Sequence, residues 1–329
     1  MKKLTWVCSA LIAMLISCKK EDTTTIVITP PPTPVLDVAA VGTWRKLSDF
    51  TGEKRSNALS FVINGKGYIL GGNNGKTWLA DLYEYDPAMD KWTKKADFPV
   101  ADKNKSVVMV INNKAYTGLG LNKDDKLAQE DWYEYDPATD KWTKKQKTTL
   151  FFGRVGGFAF SSNGKGYFGG GYANGLGGDL RPAYLRNFYE YDASTDSWKE
   201  KAPLPEEEGN ITTEPSVNLN GNGCLVGKSG TWVYDTQKNE WSKLAMGASS
   251  IENCFTIGKF LYYGLNGNSN LATIDTELKI RGDNTKLMSS APIRKEAIVF
   301  VIGKKAYFGT GKNIEIGQLF SDLYEFSIP

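Results

Sequence analysis

Four basic residues recur at one spacing in the sequence. Thirteen residues before a tyrosine stand Arg55, Lys103, Arg154 and Arg294. If the fold gathers them around a concave surface, four like charges would focus an electric field towards an anion. We therefore predict that they bind a ligand together with Trp78, and a carboxylate-bearing sugar or an acidic protein loop would suit them. The alternative is structural pairing with backbone or with nearby acids, which are Glu214, Glu252 and Glu296.

Residue types narrow the catalytic chemistry. The chain contains no histidine, which excludes a Ser-His-Asp triad and zinc held by histidine. We predict no catalytic site, no metal and no cofactor; Glu214 and Glu252 are the candidate acid/base residues if there is one. The carboxylate pairs Asp86/Asp90 and Asp136/Asp140 recur at one place in a repeated pattern, which favours a turn over catalysis.

The elements that position these residues come in six copies of about fifty residues each. The clearest copy reads FVINGKGYILGG from Phe61 to Gly72 and LYEYDPAMDKW from Leu82 to Trp92. Its Asn-Gly and Asp-Pro turns separate four short strands. Copies four and five are eroded, and they break the basic series with Ile211 and Ala248. One such repeat cannot bury its apolar faces alone, so we expect the copies to pack against one another.

The glycine pair, tyrosine and tryptophan at this spacing resemble the Kelch motif, from Gly42 to Pro329. The resemblance implies an all-β, six-bladed β-propeller of four-stranded antiparallel blades, spanning residues 42–329. Copy six lacks its outer strand, whereas Gly42 to Leu47 read as an outer strand without a blade. We predict that this N-terminal strand closes the ring and removes the exposed edges. The repeat tryptophans would then be core residues: Trp44, Trp92, Trp142, Trp198 and Trp241.

The resemblance also bears on activity. Kelch-type copper radical oxidases need histidine ligands, so the lack of histidine excludes that activity. We predict a non-catalytic module that recognises a protein or glycan at the mouth of the propeller channel. The alternative is an enzyme resembling the Kelch-type sialic acid mutarotases, which use acid/base residues and arginine on this face. Glu214 or Glu252 would then be the acid/base, and Arg154 or Arg294 would hold the carboxylate.

The N-terminal residues predict a membrane anchor. Residues 1–17 read as a signal peptide, and Leu15-Ile16-Ser17-Cys18 resembles a bacterial lipobox, which implies a lipid on Cys18. Residues 18–41 then form a Pro/Thr-rich tether. Lys19 to Asp22 resemble the export tag of Bacteroidota lipoproteins, which implies the outer membrane and leaves open which side is faced. An ordinary signal peptide with an incidental cysteine is the alternative.

Charge and cysteines give two further expectations. The formal net charge is only +3, and the chain has no strongly basic block, so we predict no nucleic-acid partner. Cys224 and Cys254 fall where the best copies have the aromatic residues Tyr68 and Phe61. An oxidising envelope would permit a disulfide, but we favour two small buried residues.

Overall fold

The computed structural model describes residues 42–100, 103–122, 128–146, 148, 153–173, 183–208, 211–212, 215–246, 251, 253–264, 270–277, 279–286 and 293–328. They belong to one compact unit, Val35–Pro329. The predicted signal peptide (1–17), the lipidated Cys18 and the tether (18–41) lie outside the described residues.

Six four-stranded antiparallel sheets make up the described fold. The first three blades are β2 (Leu59–Ile63), β3 (Lys66–Asn73), β4 (Trp78–Asp86), β5 (Lys91–Lys95); β7 (Val107–Ile111), β8 (Lys114–Gly118), β10 (Trp132–Asp136), β11 (Lys141–Lys144); and β12 (Phe158–Ser162), β13 (Lys165–Gly169), β16 (Phe188–Asp192), β17 (Ser197–Lys201). The next three are β18 (Ser216–Leu219), β19 (Asn222–Val226), β20 (Gly230–Asp235), β21 (Glu240–Met246); β22 (Asn253–Ile257), β23 (Phe260–Gly264), β24 (Asn270–Asp275), β25 (Ile280–Lys286); and β26 (Ile298–Ile302), β27 (Lys305–Gly309), β28 (Leu323–Ser327), β1 (Thr43–Lys46).

Smaller elements decorate the blades. Two short two-stranded sheets join β6 (Lys103–Asn104) to β9 (Leu121–Asn122) and β14 (Tyr172–Ala173) to β15 (Ala183–Tyr184). A 3-10 helix covers Glu206–Glu208. Within the described ranges, no helix combines the length and apolar character that crossing a bilayer requires.

The first strand of each blade is the innermost. Strands β2, β7, β12, β18, β22 and β26 each contact the next in a closed cycle, and β26 returns to β2. This arrangement is a six-bladed propeller, as the repeats predict. The N-terminal strand closes it: β1 pairs antiparallel with β28, and Trp44 lies opposite Phe326. Since that pairing covers an otherwise open edge, the predicted closure is confirmed.

The repeated aspartates hold turns and join blades. The Asp86 carboxylate accepts the Ala88 N–H at 2.9 Å, inside the turn between β4 and β5. The Asp90 carboxylate accepts the Tyr85 hydroxyl at 2.7 Å and, from the segment that follows β1, the Ser48 N–H at 3.0 Å. Asp140 repeats this pattern in blade 2. The structure thus gives both pairs a structural role.

Packing between blades is dominated by aromatic rings. Trp92 is buried and lies 4.8 Å from the Tyr85 ring and 5.0 Å from the Phe50 ring, centre to centre. The other repeat tryptophans pack against the core but are only half-buried. Trp142 donates its indole N–H to Ala96 O at 2.9 Å, and Trp241 donates its indole N–H to Ala202 O at 3.1 Å.

The two cysteines are buried and unbridged in one cluster shared by blades 4 and 5. Cys224 stands in the place of Tyr68, as expected. The expected match of Cys254 to Phe61 is wrong by one residue, because Phe255 pairs with Tyr262 just as Phe61 pairs with Tyr68. In copy five the turn at Gly258 lies one residue later than the sequence alignment assumed. Each residue of copy five before this turn therefore corresponds to the motif position one place earlier than expected.

Candidate functional site

The three arginines of the predicted ligand site are buried inside the blades. Arg55 is 0% exposed, and Arg154 and Arg294 are each 2% exposed. Each donates through Nη1 to the backbone carbonyl sixteen residues further along, at the place of the first motif glycine. The acceptors are Gly71 O at 2.8 Å, Gly170 O at 3.1 Å and Thr310 O at 2.9 Å.

Aromatic rings and carboxylates complete these arginine sites. Arg55 forms a bidentate ion pair with Asp81, in which Nη2 lies 2.8 Å from Oδ2. Arg294 pairs in the same way with Asp322, at 2.6 Å. The Arg55 guanidinium also lies 4.8 Å from the centre of the Phe50 ring. A buried charge needs such partners, so the picture of open cations around a mouth is wrong for these residues.

Arg154 sits in a similarly closed site. Its guanidinium carbon is 5.0 Å from the Phe168 ring centre and 5.6 Å from that of Tyr189. Burial lowers the pKa of Arg154 from its ordinary value, and the neighbouring Tyr189 partly opposes that shift. Pairing of the arginines with backbone agrees with the structural alternative. The carboxylates that hold Arg55 and Arg294 are Asp81 and Asp322, which that alternative did not name.

The remaining predicted site residues have different positions. Trp78 is half-buried and begins β4, where it pairs with Asn73. Lys103 begins β6 and pairs with Asn122. Glu214 and Glu252 lie outside the described residues. Ligand binding by Trp78 and Lys103, and acid/base chemistry at the two glutamates, stay predictions.

A cavity of about 630 Å³ lies where the innermost strands of all six blades begin. Its described lining includes one of the first two residues of each innermost strand, and most of the segments that precede them. The strand residues are Leu59, Ser60, Val107, Val108, Phe158, Ala159, Ser216 and Asn253, with Val299 from β26. Arg55, Arg154, Arg294 and Trp78 are not among the described lining residues.

The cavity rim is built from backbone in an uncommon conformation. Asn57, Lys105 and Glu296, which line the cavity, each have φ of 56°, and Gly156 takes the equivalent place in blade 3 with φ of 70°. Left-handed backbone is uncommon for lysine or glutamate. Hydrogen bonds between blades hold it here: the Asn57 N–H donates to Glu296 O, and the Gly156 N–H to Lys105 O, both at 2.9 Å. Each of these four residues stands two positions after a member of the basic series in the sequence.

Glu296 is a charged but neutralised lining residue. Burial disfavours its ionised form, yet hydrogen bonds from Lys312, Ser56 and Asn57 outweigh burial and lower the pKa of its carboxyl. Lys312 Nζ lies 3.0 Å from Glu296 Oε2. Glu296 is therefore ionised at neutral pH, which makes it a poor general acid.

Four hydroxyl groups of the lining already donate their hydrogens to backbone carbonyls. Ser60 and Ser216 donate to the innermost strand of the preceding blade, whereas Ser106 and Thr117 donate within blade 2. The acceptors are Val299 O at 2.8 Å, Ala159 O at 2.9 Å, Leu119 O at 3.1 Å and Val107 O at 2.8 Å. These four groups can therefore offer a ligand only lone pairs.

Blade 4 contains a buried acid that the sequence reasoning missed. Glu208 is 5% exposed and accepts the Ser229 N–H at 2.8 Å and the Trp232 indole N–H at 3.0 Å. It lies against Gly227, where a Cβ would come within 2.5 Å of Glu208 Oε2. Gly227 corresponds to Gly71, so an acid here lies beside the motif glycine. The sequence feature that could have indicated this buried acid is the run of three glutamates, Glu206–Glu208, in copy four. That copy has Ile211 in place of the repeated arginine.

The described residues contain no group of three or more His, Cys, Asp or Glu side chains placed to hold a metal ion. The cavity can bind and orient a ligand with the groups that the lining provides.

Comparisons with known proteins agree with this architecture. The family model of the Kelch motif matches residues 54–99, which include all four strands of blade 1. A solved structure titled "Structure of YjhT" is similar with a TM-score of 0.69 and 18% sequence identity, over 84% of this chain and 96% of that one. No curated protein matches the sequence. A structural likeness at this identity shows the fold alone. The chain is a six-bladed β-propeller, and its first blade contains a Kelch motif.

Proposed function

We propose that this protein is a non-catalytic binding propeller, tethered to the outer membrane by a lipid on Cys18, that holds a protein or glycan ligand at its axial cavity. The observation that carries the proposal is the cavity itself. Its volume of about 630 Å³ falls in the usual range of ligand pockets, and it mixes aliphatic side chains with hydrogen-bonding groups. Its described carboxylate, Glu296, is ion-paired with Lys312 and is a poor general acid.

A blocked cavity tests the proposal. Purified residues 42–329 would be applied to a glycan array that also carries peptides, alongside the variant Val100→Trp. Val100 lines the cavity, so an indole there should fill space that the ligand needs. The matched control is Met89→Trp, at a turn where Met89 is 66% exposed. We expect the signals to vanish in Val100→Trp and to persist in the control. Equal binding by both variants would place the ligand elsewhere and refute the proposal.

One observation favours a second function, an enzyme resembling the Kelch-type sialic acid mutarotases. The described chain neighbours of Glu214 and Glu252 line the cavity, namely Thr212, Pro215, Ile251 and Asn253. General acid–base groups contribute roughly 100-fold or more to a rate. Anomerisation of sialic acid, followed by NMR, should therefore fall by about that factor in Glu214→Ala or Glu252→Ala. No turnover in the unaltered protein would leave the binding function as the better account.

The lipid anchor has its own test. Buried acyl chains contribute about 0.8 kcal/mol per CH2, so the full chain expressed in a Gram-negative cell should sediment with membranes. Cys18→Ala should release it, whereas Cys8→Ala should leave it anchored. A mass spectrum of the mature N-terminus should show a diacylglyceryl cysteine. Release by Cys8→Ala, or an unmodified Cys18, would contradict the anchor.

A further inference from the structure

One lining residue has a buried polar group without a partner. Asn253 is 6% exposed, begins β22 and lines the axial cavity. Among the described residues, its Nδ2 atom is buried and makes no hydrogen bond. An unsatisfied buried donor destabilises the ligand-free protein. Such a group therefore needs an explanation.

The other blades show that the fold does not require this amide. The strand register places an apolar residue at the same position in each of them: Leu59, Val107, Phe158, Pro215 and Ile298. Asn253 is thus the polar exception in an apolar ring. Its amide has no structural role that the other five blades share, and a ligand offering an acceptor would satisfy it.

Two lysines of the lining carry uncommitted charge. Lys105 and Lys228 both line the cavity, and neither forms an ion pair among the described residues. Lys105 Nζ lies 5.6 Å from the centre of the Tyr172 ring, and Lys228 is exposed. The acid of the lining, Glu296, is already neutralised by Lys312. The cavity is therefore left with two ammonium groups that nothing described cancels.

The lining thus offers a ligand the unpaired amide of Asn253 and the two cations, Lys105 and Lys228. We propose that Asn253, Lys105 and Lys228 form a carboxylate-binding site in the axial cavity. Charge-assisted hydrogen bonds to lysine would supply attraction, and the amide of Asn253 would supply direction. The inference rests on the proposed function, because it names the chemistry of the ligand that the same cavity holds. In this proposal the positive charge of the axial cavity comes from Lys105 and Lys228 rather than from the buried arginines.

Calorimetric titration of the full propeller at low ionic strength tests the site with simple probes. D-glucuronate presents a carboxylate on a sugar, triglutamate presents it on a peptide, and D-glucose is the uncharged match. We expect one of the carboxylate probes to bind and D-glucose not to bind. Added salt should weaken that binding, because screening reduces attraction between exposed charges. The probe that binds identifies the source of the carboxylate.

Substitutions assign the binding to the named residues. Lys105→Gln and Lys228→Gln should each weaken binding roughly tenfold, as expected for a lost charge-assisted bond. Lys141→Gln, an exposed lysine on β11, should have no effect. If neither carboxylate binds, if D-glucose binds as well, or if the lysine variants bind normally, the proposal is wrong.

Asn253→Leu separates function from folding. Leucine is the residue that blade 1 has at this position, so the variant should unfold at a higher temperature than the unaltered protein while its affinity falls at least tenfold. A purely structural asparagine would give the reverse, a lower unfolding temperature and unchanged affinity, and would overturn the proposal. If a neutral glycan binds and Val100→Trp abolishes that binding, the carboxylate site is refuted. The proposed binding function of the cavity would still stand.

Discussion

At the scale of single residues, a repeated arginine was easier to find than to interpret. Arg55 and Arg294 recur because each completes a buried site with a ring and a carboxylate. Their partners Asp81 and Asp322 lie 26 and 28 residues further along the chain, each just before the Leu-Tyr pair of the motif. Desolvating a charge is costly unless the charge is paired. Because Asp81 and Asp322 pair with the two arginines, these arginines have a structural role and are not free to bind a ligand.

The buried Arg55 pair makes a direct prediction. In Arg55→Ala, Asp81 loses its partner in a largely buried place, and such a loss typically costs about 3–5 kcal/mol of stability. Urea denaturation of the variant should show a loss of this size. The control is Lys94→Ala, which breaks the exposed Lys94–Asp97 pair and should cost less than about 1 kcal/mol. Similar losses in the two variants would show that the Arg55 pair is not the structural element described.

At the scale of elements, the strands were predictable and the cavity was not. Asn64-Gly65 adopts φ of 51° and 71°, as a tight hairpin requires, so local residues set the pairing of β2 with β3. The cavity depends instead on six strand starts that are distant in sequence. Asn253 was missed because the sequence alignment set Leu261 of copy five against Tyr68, whereas the strand register sets Tyr262 there. A shift of one residue there moved the asparagine out of its apolar column.

The closing strand carries the element-scale prediction. Deleting Thr43 to Leu47 removes β1, exposes the edge of β28 and uncovers Phe326, whose ring lies 5.0 Å from that of Trp44. We expect a drop in the melting temperature of well over 5 °C and a shift towards aggregation, since open strand edges pair with other chains. Differential scanning calorimetry and gel filtration would record both. Removing the tether up to residue 41 is the control and should leave both unchanged; an unchanged deletion variant would contradict closure by β1.

At the scale of the whole molecule, carboxylates between and within blades govern the response to acid. Asp90 illustrates the balance: burial disfavours its ionisation, but hydrogen bonds from Tyr85 and Ser48 outweigh burial and lower its pKa. The pKa of Glu325 is lowered in the same way, because hydrogen bonds from Lys305 and Arg45 outweigh the effect of burial. Arg45 lies on the closing strand β1. Meanwhile the chain has no histidine, the side chain that usually titrates between pH 5 and 8.

The shape of the stability–pH curve follows from these facts. A carboxyl whose pKa is lower in the folded than in the unfolded protein stabilises the fold above its ordinary pKa of about 4, and this stabilisation is lost as the pH falls through the folded value. The free energy of unfolding should therefore be nearly constant from about pH 5.5 to 8 and fall steeply below about pH 4. Asp90→Asn should be less stable at neutral pH and lose less on acidification, whereas Met89→Ala at the same turn should follow the unaltered curve. Urea titrations at several pH values would measure this, and a steep change between pH 5.5 and 8, or an unaltered slope in Asp90→Asn, would show that other groups control the acid response.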